Sequence, residues 1–335
     1  MKVIAIIIVQ DESDIFAYVV RKALDYFDQI FVYDTGSVDG TVQIARDFAE
    51  RDARIRVIWE QSVVFDEFRT RKHALSLFAD QLSDGDWVTW LDADEEVGLS
   101  PDRFRDLIDK ERSDLIRHRH YNFGLVADQV DVAIGEGSKF NPKDFQFYKS
   151  WAFTEVKMMR WRASMLAALH GGRNLMFPGA ISACRLPILH YPYRSIRQIK
   201  RRIETRQLVM SILDPTWNGH WRINQLENLI YQVGDPALLK LHPERVESDF
   251  RRRDGLRDSR WSGTTMIVEL AKYYLKLIAF RCIGARFCDA IGAKRNPMAD
   301  PRAYQPIPKS VEMEEALRKQ HLLLGGEVIG LNLSQ

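Results

Sequence analysis

Cysteine is scarce in this chain: Cys184, Cys282 and Cys288 form no Cys-x-x-Cys pair and leave one thiol over under any bridging. That excludes a disulfide scaffold and a structural zinc site, and points to a reducing, cytoplasmic setting. Long hydrophobic runs are also missing. No stretch approaches the roughly 18 uncharged apolar residues of a spanning helix, and the opening run Val3–Val9 ends in Gln10-Asp11-Glu12, too soon for a signal peptide. The chain is therefore expected not to cross a membrane by itself. A charge excess of one sign is absent too. With 48 basic and 46 acidic residues the formal charge is +2, which gives no field to attract nucleic acid. Neither GxxxxGK[ST] nor GxGxxG occurs, so a Walker-type NTPase and a dinucleotide oxidoreductase are excluded. With only 19 Gly and 12 Pro, no repeat and no low-complexity tract, wholesale disorder and a fibrous chain are ruled out as well.

What is there reads as a soluble globular α/β protein of 335 residues, long enough for a large domain and an appended subdomain. Short apolar runs at Val3–Val9, Gln29–Tyr33, Arg54–Trp59 and Trp87–Leu91 alternate with helical patterns at Ile15–Phe27, Thr41–Phe48 and Phe68–Leu82, which predicts βαβ units and a mostly parallel sheet. Right-handed crossovers then place every strand's carboxyl end on one edge. Ser100-Pro101-Asp102 predicts a helix from there to Lys110. The segments Asp114–Tyr121, Phe145–Lys149 and Lys157–Arg162 are short and aromatic, like irregular or antiparallel strands that complete the sheet. From Ser195 the character becomes helical, with further helical patterns at Asn224–Val233 and Thr265–Ile283. The expected division is a domain over 1–195 and a mainly helical subdomain over 196–335.

The carboxyl edge of such a sheet binds ligands, and here it is crowded with acids: Gln10-Asp11-Glu12 after the first strand, Asp34 to Thr41 after the second, Glu60 after the third and Asp92-Ala93-Asp94-Glu95-Glu96 after the fourth. Two carboxylates one residue apart past a buried strand can put one on a hard cation and the other on a metal water or a ribose. A solvated acidic turn has the same sequence. Asp34 closes a strand where its carboxylate can accept hydrogen bonds from a base or ribose, and Gly36 and Gly40 allow close approach of a ligand. Ser37, Asp39 and Thr41 suit a turn and helix cap equally well.

The succession strand-Gln10-Asp11-Glu12, Val32-Tyr33-Asp34-Thr35-Gly36-Ser37-Val38-Asp39-Gly40-Thr41 and Trp90-Leu91-Asp92-Ala93-Asp94-Glu95 resembles glycosyltransferase family 2 in order and spacing, over roughly residues 1–100. The resemblance implies a GT-A fold, a nucleotide-diphosphate sugar donor, with uridine the commonest nucleoside, Mn²⁺ or Mg²⁺, and inversion at the anomeric carbon. It implies that Asp34 contacts the nucleobase, Asp11 or Glu12 the nucleoside, Arg71 or Lys72 the diphosphate, Asp92 the ribose or a metal water, and Asp94 the metal. Gln10, Gly36, Ser37, Asp39 and Ala93 complete the expected donor-binding set. His190, after an apolar run, is placed like the late histidine of some related transferases and is expected as a third metal ligand beside Asp92 and Asp94.

Inverting transfer also needs a base. Here the sequence departs from the family pattern, because the stretch Leu169-His170-Gly171-Gly172 carries no acid. Asp144, Glu155 and Glu136 are candidates by location, Asp144 first. A glycan or lipid-linked acceptor is expected, and the seven basic residues between Arg185 and Arg206, Arg194, Arg197, Lys200 and Arg201 among them, would serve phosphate or an anionic membrane face. Two other readings compete: a nucleotidyltransferase, disfavoured because Gln10-Asp11-Glu12-Ser13 is neither glycine-rich nor basic, and a non-catalytic relative that binds a nucleotide-sugar or glycan. Asp92 and Asp94 are expected in a solvated loop, so that Asn at either should leave the fold intact.

Overall fold

The computed structural model describes residues 1–60, 67–127, 140–163, 179–212 and 229–240. The chain order is β1 (Val3–Val9), α1 (Phe16–Ala23), β2 (Gln29–Asp34), α2 (Thr41–Arg51), β3 (Ile55–Trp59), α3 (Glu67–Phe78), β4 (Trp87–Asp92), β5 (Glu95–Val97), α4 (Pro101–Lys110), β6 (Leu115–Gly124), β7 (Phe147–Arg160), β8 (Ile181–Tyr193), α5 (Ile196–Ile212) and β9 (Leu238–Lys240). One sheet runs β3-β2-β1-β4-β7-β6-β8-β5, and β9 pairs with β7. The β3 to β4 half is parallel. Beyond it β7 is antiparallel to both β4 and β6, β8 runs parallel to β6, and β5 is antiparallel to β8. The sheet is thus mixed, with its parallel half where the alternation of apolar runs and helical patterns requires it.

All seven residues of β1 are buried, as expected of a strand covered on both faces. Val3, Ala5, Ile7 and Val9 pack with Phe16, Val19, Val20 and Ala23 of α1, while Ile4, Ile6 and Ile8 pack with Ala74, Leu75 and Phe78 of α3. Each fully buried aliphatic side chain in these layers stabilises the fold by roughly 1.5–3 kcal/mol, so the strand that launches the site is firmly held. α4 begins where Ser100-Pro101 predicts, with Pro101 in its first turn, yet Ser100 makes no side-chain cap bond.

The second half differs from the short aromatic strands expected. β7 has 14 residues and β8 has 13. Within β8, Pro187 and Pro192 lack the N–H that a ladder uses, but their carbonyls are satisfied, that of Pro187 by Gly98 N and that of Pro192 by the Gln198 and Arg202 side chains. Among the described residues past Ser195, α5 packs Ile199 and Ile203 into the main core, and β9 pairs with Phe147 to Lys149 of β7. The pattern at Thr265–Ile283 lies outside the described residues, as does Asn224–Val233 up to residue 228. No helix among the described residues is long and apolar enough to cross a membrane.

Candidate functional site

The carboxyl ends of β2, β1 and β4 lie side by side, with Val9 opposite Asp34 and Ile8 opposite Asp92. From there the loop after β1 folds over the loop after β2. Asp11 adopts a left-handed φ of 54°, a conformation that aspartate tolerates better than most residues, and its Oδ1 accepts the Val38 N–H at 2.7 Å. In return Ser37 Oγ accepts from Asp11 N, Thr41 Oγ1 from Glu12 N and Asp39 Oδ2 from Ser13 N, at 2.9, 2.9 and 3.1 Å. Ser37, Asp39 and Thr41 therefore hold the neighbouring loop. Gln10 is partly exposed and Ala93 buried.

Asp34 is fully buried. Its Oδ1 accepts from Gly36 N and Ser37 N at 2.9 and 2.7 Å, a turn that Gly36 permits with a φ of 91°. Its Oδ2 has no hydrogen-bond partner among the described residues. Burial, opposed by the Ser37 bonds, pushes the carboxyl from 3.8 up to about 7. Such a group stands ready to receive a donor from outside the chain.

Across β1 the four acids after β4 are not alike. Asp92 is one-third exposed at its side chain and is gripped by Arg71 Nη2 at 2.9 Å and Lys157 Nζ at 3.0 Å. Burial opposes ionisation, but these two cations hold Asp92 well below the usual carboxylate range. Asp94 is 3% exposed, so the expected solvated loop does not exist there. Its backbone carbonyl accepts from Tyr191 N, and its Oδ2 accepts from Arg202 Nη1 at 3.1 Å. Its Oδ1 lies 3.4 Å from His190 Nε2. Despite burial, His190 and the two arginines Arg202 and Arg194 keep Asp94 ionised far into acid.

Glu95 and Glu96 belong to β5 and are buried. Glu96 accepts from Tyr18 and Tyr191 hydroxyls at 2.7 and 2.9 Å, and burial raises its pKa. Glu95 receives Lys157 Nζ on both oxygens at 2.9 and 2.8 Å and His120 Nε2 at 2.8 Å. Burial and Asp92 push it up, yet Lys157 and His120 bring it down to about 2.

These contacts arise from register. His190 of β8 has Glu95 of β5 on one side and Asn122 of β6 on the other. Because side chains alternate along a strand, His118, His120 and Asn122 share one face of β6. Asn122 Oδ1 can only accept, so at 2.7 Å it takes the His190 Nδ1–H. Nε2, the atom beside Asp94, therefore carries a proton when the ring stabilises the Asp94 carboxylate, and a lone pair for a cation only when the ring is neutral. His118 is neutral, held far below its usual range by burial and by the Lys157 charge.

Two groups could therefore hold a cation. Glu95, His118 and His120 bring ligand atoms within 4.8 Å of one another. However, the Lys157 ammonium already saturates Glu95, and a divalent ion beside it would meet a fixed like charge. Asp94 and His190, with Asp92 next to them, combine a hard carboxylate with an oriented imidazole lone pair, and this donor set suits Mn²⁺ or Mg²⁺ better.

Arg194, wholly buried, ties the loops together. It bonds Glu12, reaches Asp14 at 2.8 Å and donates to the Tyr191 carbonyl at 2.7 Å. Arg201 donates to the Asp11 carbonyl and lies 3.6 Å from Asp39. Lys72 is buried beside Arg71 at the start of α3, whereas Arg197 is partly exposed and Lys200 exposed. Asp144 sits exposed in a 3-10 turn, where its carboxylate accepts from the Asn141 side chain at 3.4 Å. Glu155 is buried on β7 opposite His118. Because β7 runs antiparallel to β4, it stands two residues closer to the carboxyl edge than Lys157, whose ammonium reaches Asp92. Glu136 and His170 lie outside the described residues. Sequence reasoning missed Lys157, Asn122, His118, His120 and Arg202; the period-two spacing of His118, His120 and Asn122 was the one available signal.

The family model described as Glycosyl transferase family 2 matches residues 4–176, just over half of the chain. No curated protein matches. Among solved structures, the chain is similar to the mannosyltransferase PcManGT from Pyrobaculum calidifontis in complex with GDP-Man and Mn²⁺, at 12% identity over 96% of this chain and 86% of that one, with a TM-score of 0.34. It is also similar to 4-diphosphocytidyl-2C-methyl-D-erythritol synthase, at 11% identity over 76% and 99% with a TM-score of 0.29. A third is HddC from Yersinia pseudotuberculosis, at 9% over 48% and 74% with a TM-score of 0.25.

Proposed function

Since this chain belongs to glycosyl transferase family 2, we propose that it moves a sugar, with inversion, from a nucleotide-diphosphate sugar to a hydroxyl of a glycan or lipid-linked acceptor, and that UDP is the nucleotide. The observation that carries the reading is the line Asp94–His190–Asn122, in which a buried carboxylate faces an imidazole whose tautomer is set from its far side. Asp94 and His190, with Asp92 beside them, would hold Mn²⁺ or Mg²⁺. When bound, such an ion neutralises charge on the departing diphosphate.

The chain's own residues do the rest. The unsatisfied Oδ2 of Asp34 accepts an N–H of the base, a bond strong in a buried site. Asp11 and Glu12 border the nucleoside from the neighbouring loop. Arg71 orients Asp92 from one side and Lys157 from the other, so Asp92 presents a fixed oxygen to ribose or metal water. Glu155, better placed than Asp144, takes the acceptor proton in line with the leaving phosphate. A cytoplasmic enzyme working at the inner face of a membrane fits the basic residues of α5.

The test is a calorimetric titration of UDP, GDP, CDP and dTDP with Mn²⁺ and then with EDTA. Metal-dependent binding of one nucleotide is the expected result and names the donor class. Binding of none of the four would overturn the reading.

A further inference from the structure

Asp94 is the acid the proposed function assigns to the cation, yet its Oδ2 already receives a guanidinium, Arg202 Nη1 at 3.1 Å. Arg194 Nη1 is also near, at 3.8 Å. The two arginines differ in freedom. The Arg194 side chain is 1% exposed and locked by Glu12, Asp14 and a backbone carbonyl. The Arg202 side chain is 21% exposed, lies 3.9 Å from Glu12 and has, among the described residues, one other close partner, the Pro192 carbonyl at 3.0 Å. It projects from α5, the helix that follows β8 directly, onto the acidic rim formed by Asp94 and Glu12.

A divalent ion on Oδ1, the oxygen beside His190, and a guanidinium on Oδ2 of the same buried carboxylate would lie close enough to repel strongly. Resting on the transferase reading above, we propose that Arg202 competes with the divalent cation for Asp94 and, displaced by it, pairs with the donor's diphosphate. A guanidinium fork matches phosphate geometry, and its long stem lets it move between two anions a few ångströms apart. Cation and nucleotide then bind with positive coupling, because each is favoured by the position of Arg202 that the other requires. Without the nucleotide, Arg202 keeps the cation weak. Without the cation, Arg202 stays on Asp94.

Mn²⁺ binding is measured by the paramagnetic resonance signal of free Mn²⁺, and nucleotide binding by calorimetry, in the full-length chain with UDP or GDP as probe. In Arg202→Gln, Mn²⁺ alone binds tighter, on the order of tenfold, while nucleotide in saturating Mn²⁺ binds weaker, by roughly tenfold to a hundredfold. Arg202→Lys, which keeps the charge and loses the fork, leaves Mn²⁺ affinity near wild type and weakens only the nucleotide. It stands in should Arg202→Gln fail to fold, judged by circular dichroism. Unchanged or weaker Mn²⁺ binding in Arg202→Gln, or wild-type nucleotide affinity in Arg202→Lys, overturns the exchange and leaves the transferase reading standing. If the wild type shows no Mn²⁺-dependent nucleotide binding, both fall together.

Discussion

Replacing Asp34 by asparagine should make the protein more stable and worse at binding its donor, and the two effects should separate by pH. The folded carboxyl titrates at about 7 instead of 3.8, so between those values the folded chain holds a proton that the unfolded chain has lost. Stability contributed at this position therefore falls as pH rises. At roughly 1.4 kcal/mol per pK unit, the loss from about pH 5 to about pH 8 is about 2–3 kcal/mol. Asparagine has no charge to bury. Its Oδ1 can keep both bonds, from Gly36 N and Ser37 N, at a cost of about 1 kcal/mol for the weaker neutral acceptor. Urea unfolding of the wild type and Asp34→Asn should show the variant gaining about 2–3 kcal/mol relative to wild type between those two pH values, with the crossover in acid. Its amide would present N–H groups to a base N–H, so affinity for the nucleotide-sugar should drop roughly a hundredfold. A stability difference that does not change with pH would refute the argument, because it would mean that Asp34 is solvated or finds a cation when folded.

Three further outcomes are expected. Asp94→Asn should abolish Mn²⁺-dependent nucleotide binding and, since it leaves Arg194, Arg202 and His190 facing an uncharged amide, should also lower unfolding free energy by about 1–3 kcal/mol; unchanged stability would show that the carboxylate is not the hub of those contacts. Lys157→Met strands Glu95 as a buried charge and should cost about 3–5 kcal/mol in denaturant, part of which Lys157→Met/Glu95→Gln recovers. Glu155→Gln should retain donor affinity in calorimetry while turnover falls about 10²–10⁴-fold, whereas full turnover would remove Glu155 as the base.

The parallel half was legible because two periodicities coincide in it: β1 is apolar throughout and α1 repeats apolar residues at helical spacing. Asp34 and the Asp92-Ala93-Asp94 acids could be placed from strand ends alone. What an acidic run could not reveal is that Glu95 and Glu96 are strand residues, since acids are poor strand formers and β5 exists only by pairing with β8, some ninety positions later. Nor could the partners of the acids be read locally. Lys157 and Arg202 look like any cation in a polar segment until β7 and α5 are folded against β4 and the loop after it. The separation of Asp92, partly exposed and doubly gripped, from Asp94, buried and aimed at His190, is likewise a product of tertiary structure.

Arg194 carries a consequence for biosynthesis. Its bond to Asp14 spans 180 positions of sequence, and its contact with Glu12 spans still more. The first strands hold the residues that would touch a nucleotide, and the loop after β1, already bonded to Ser37, Asp39 and Thr41, gains its remaining anchor from a guanidinium synthesised far later. A chain leaving the ribosome would thus display β1 to β4 well before Arg194 could brace them, and the closing of the end of β8 on the loop is a non-local event of the kind expected to be slow.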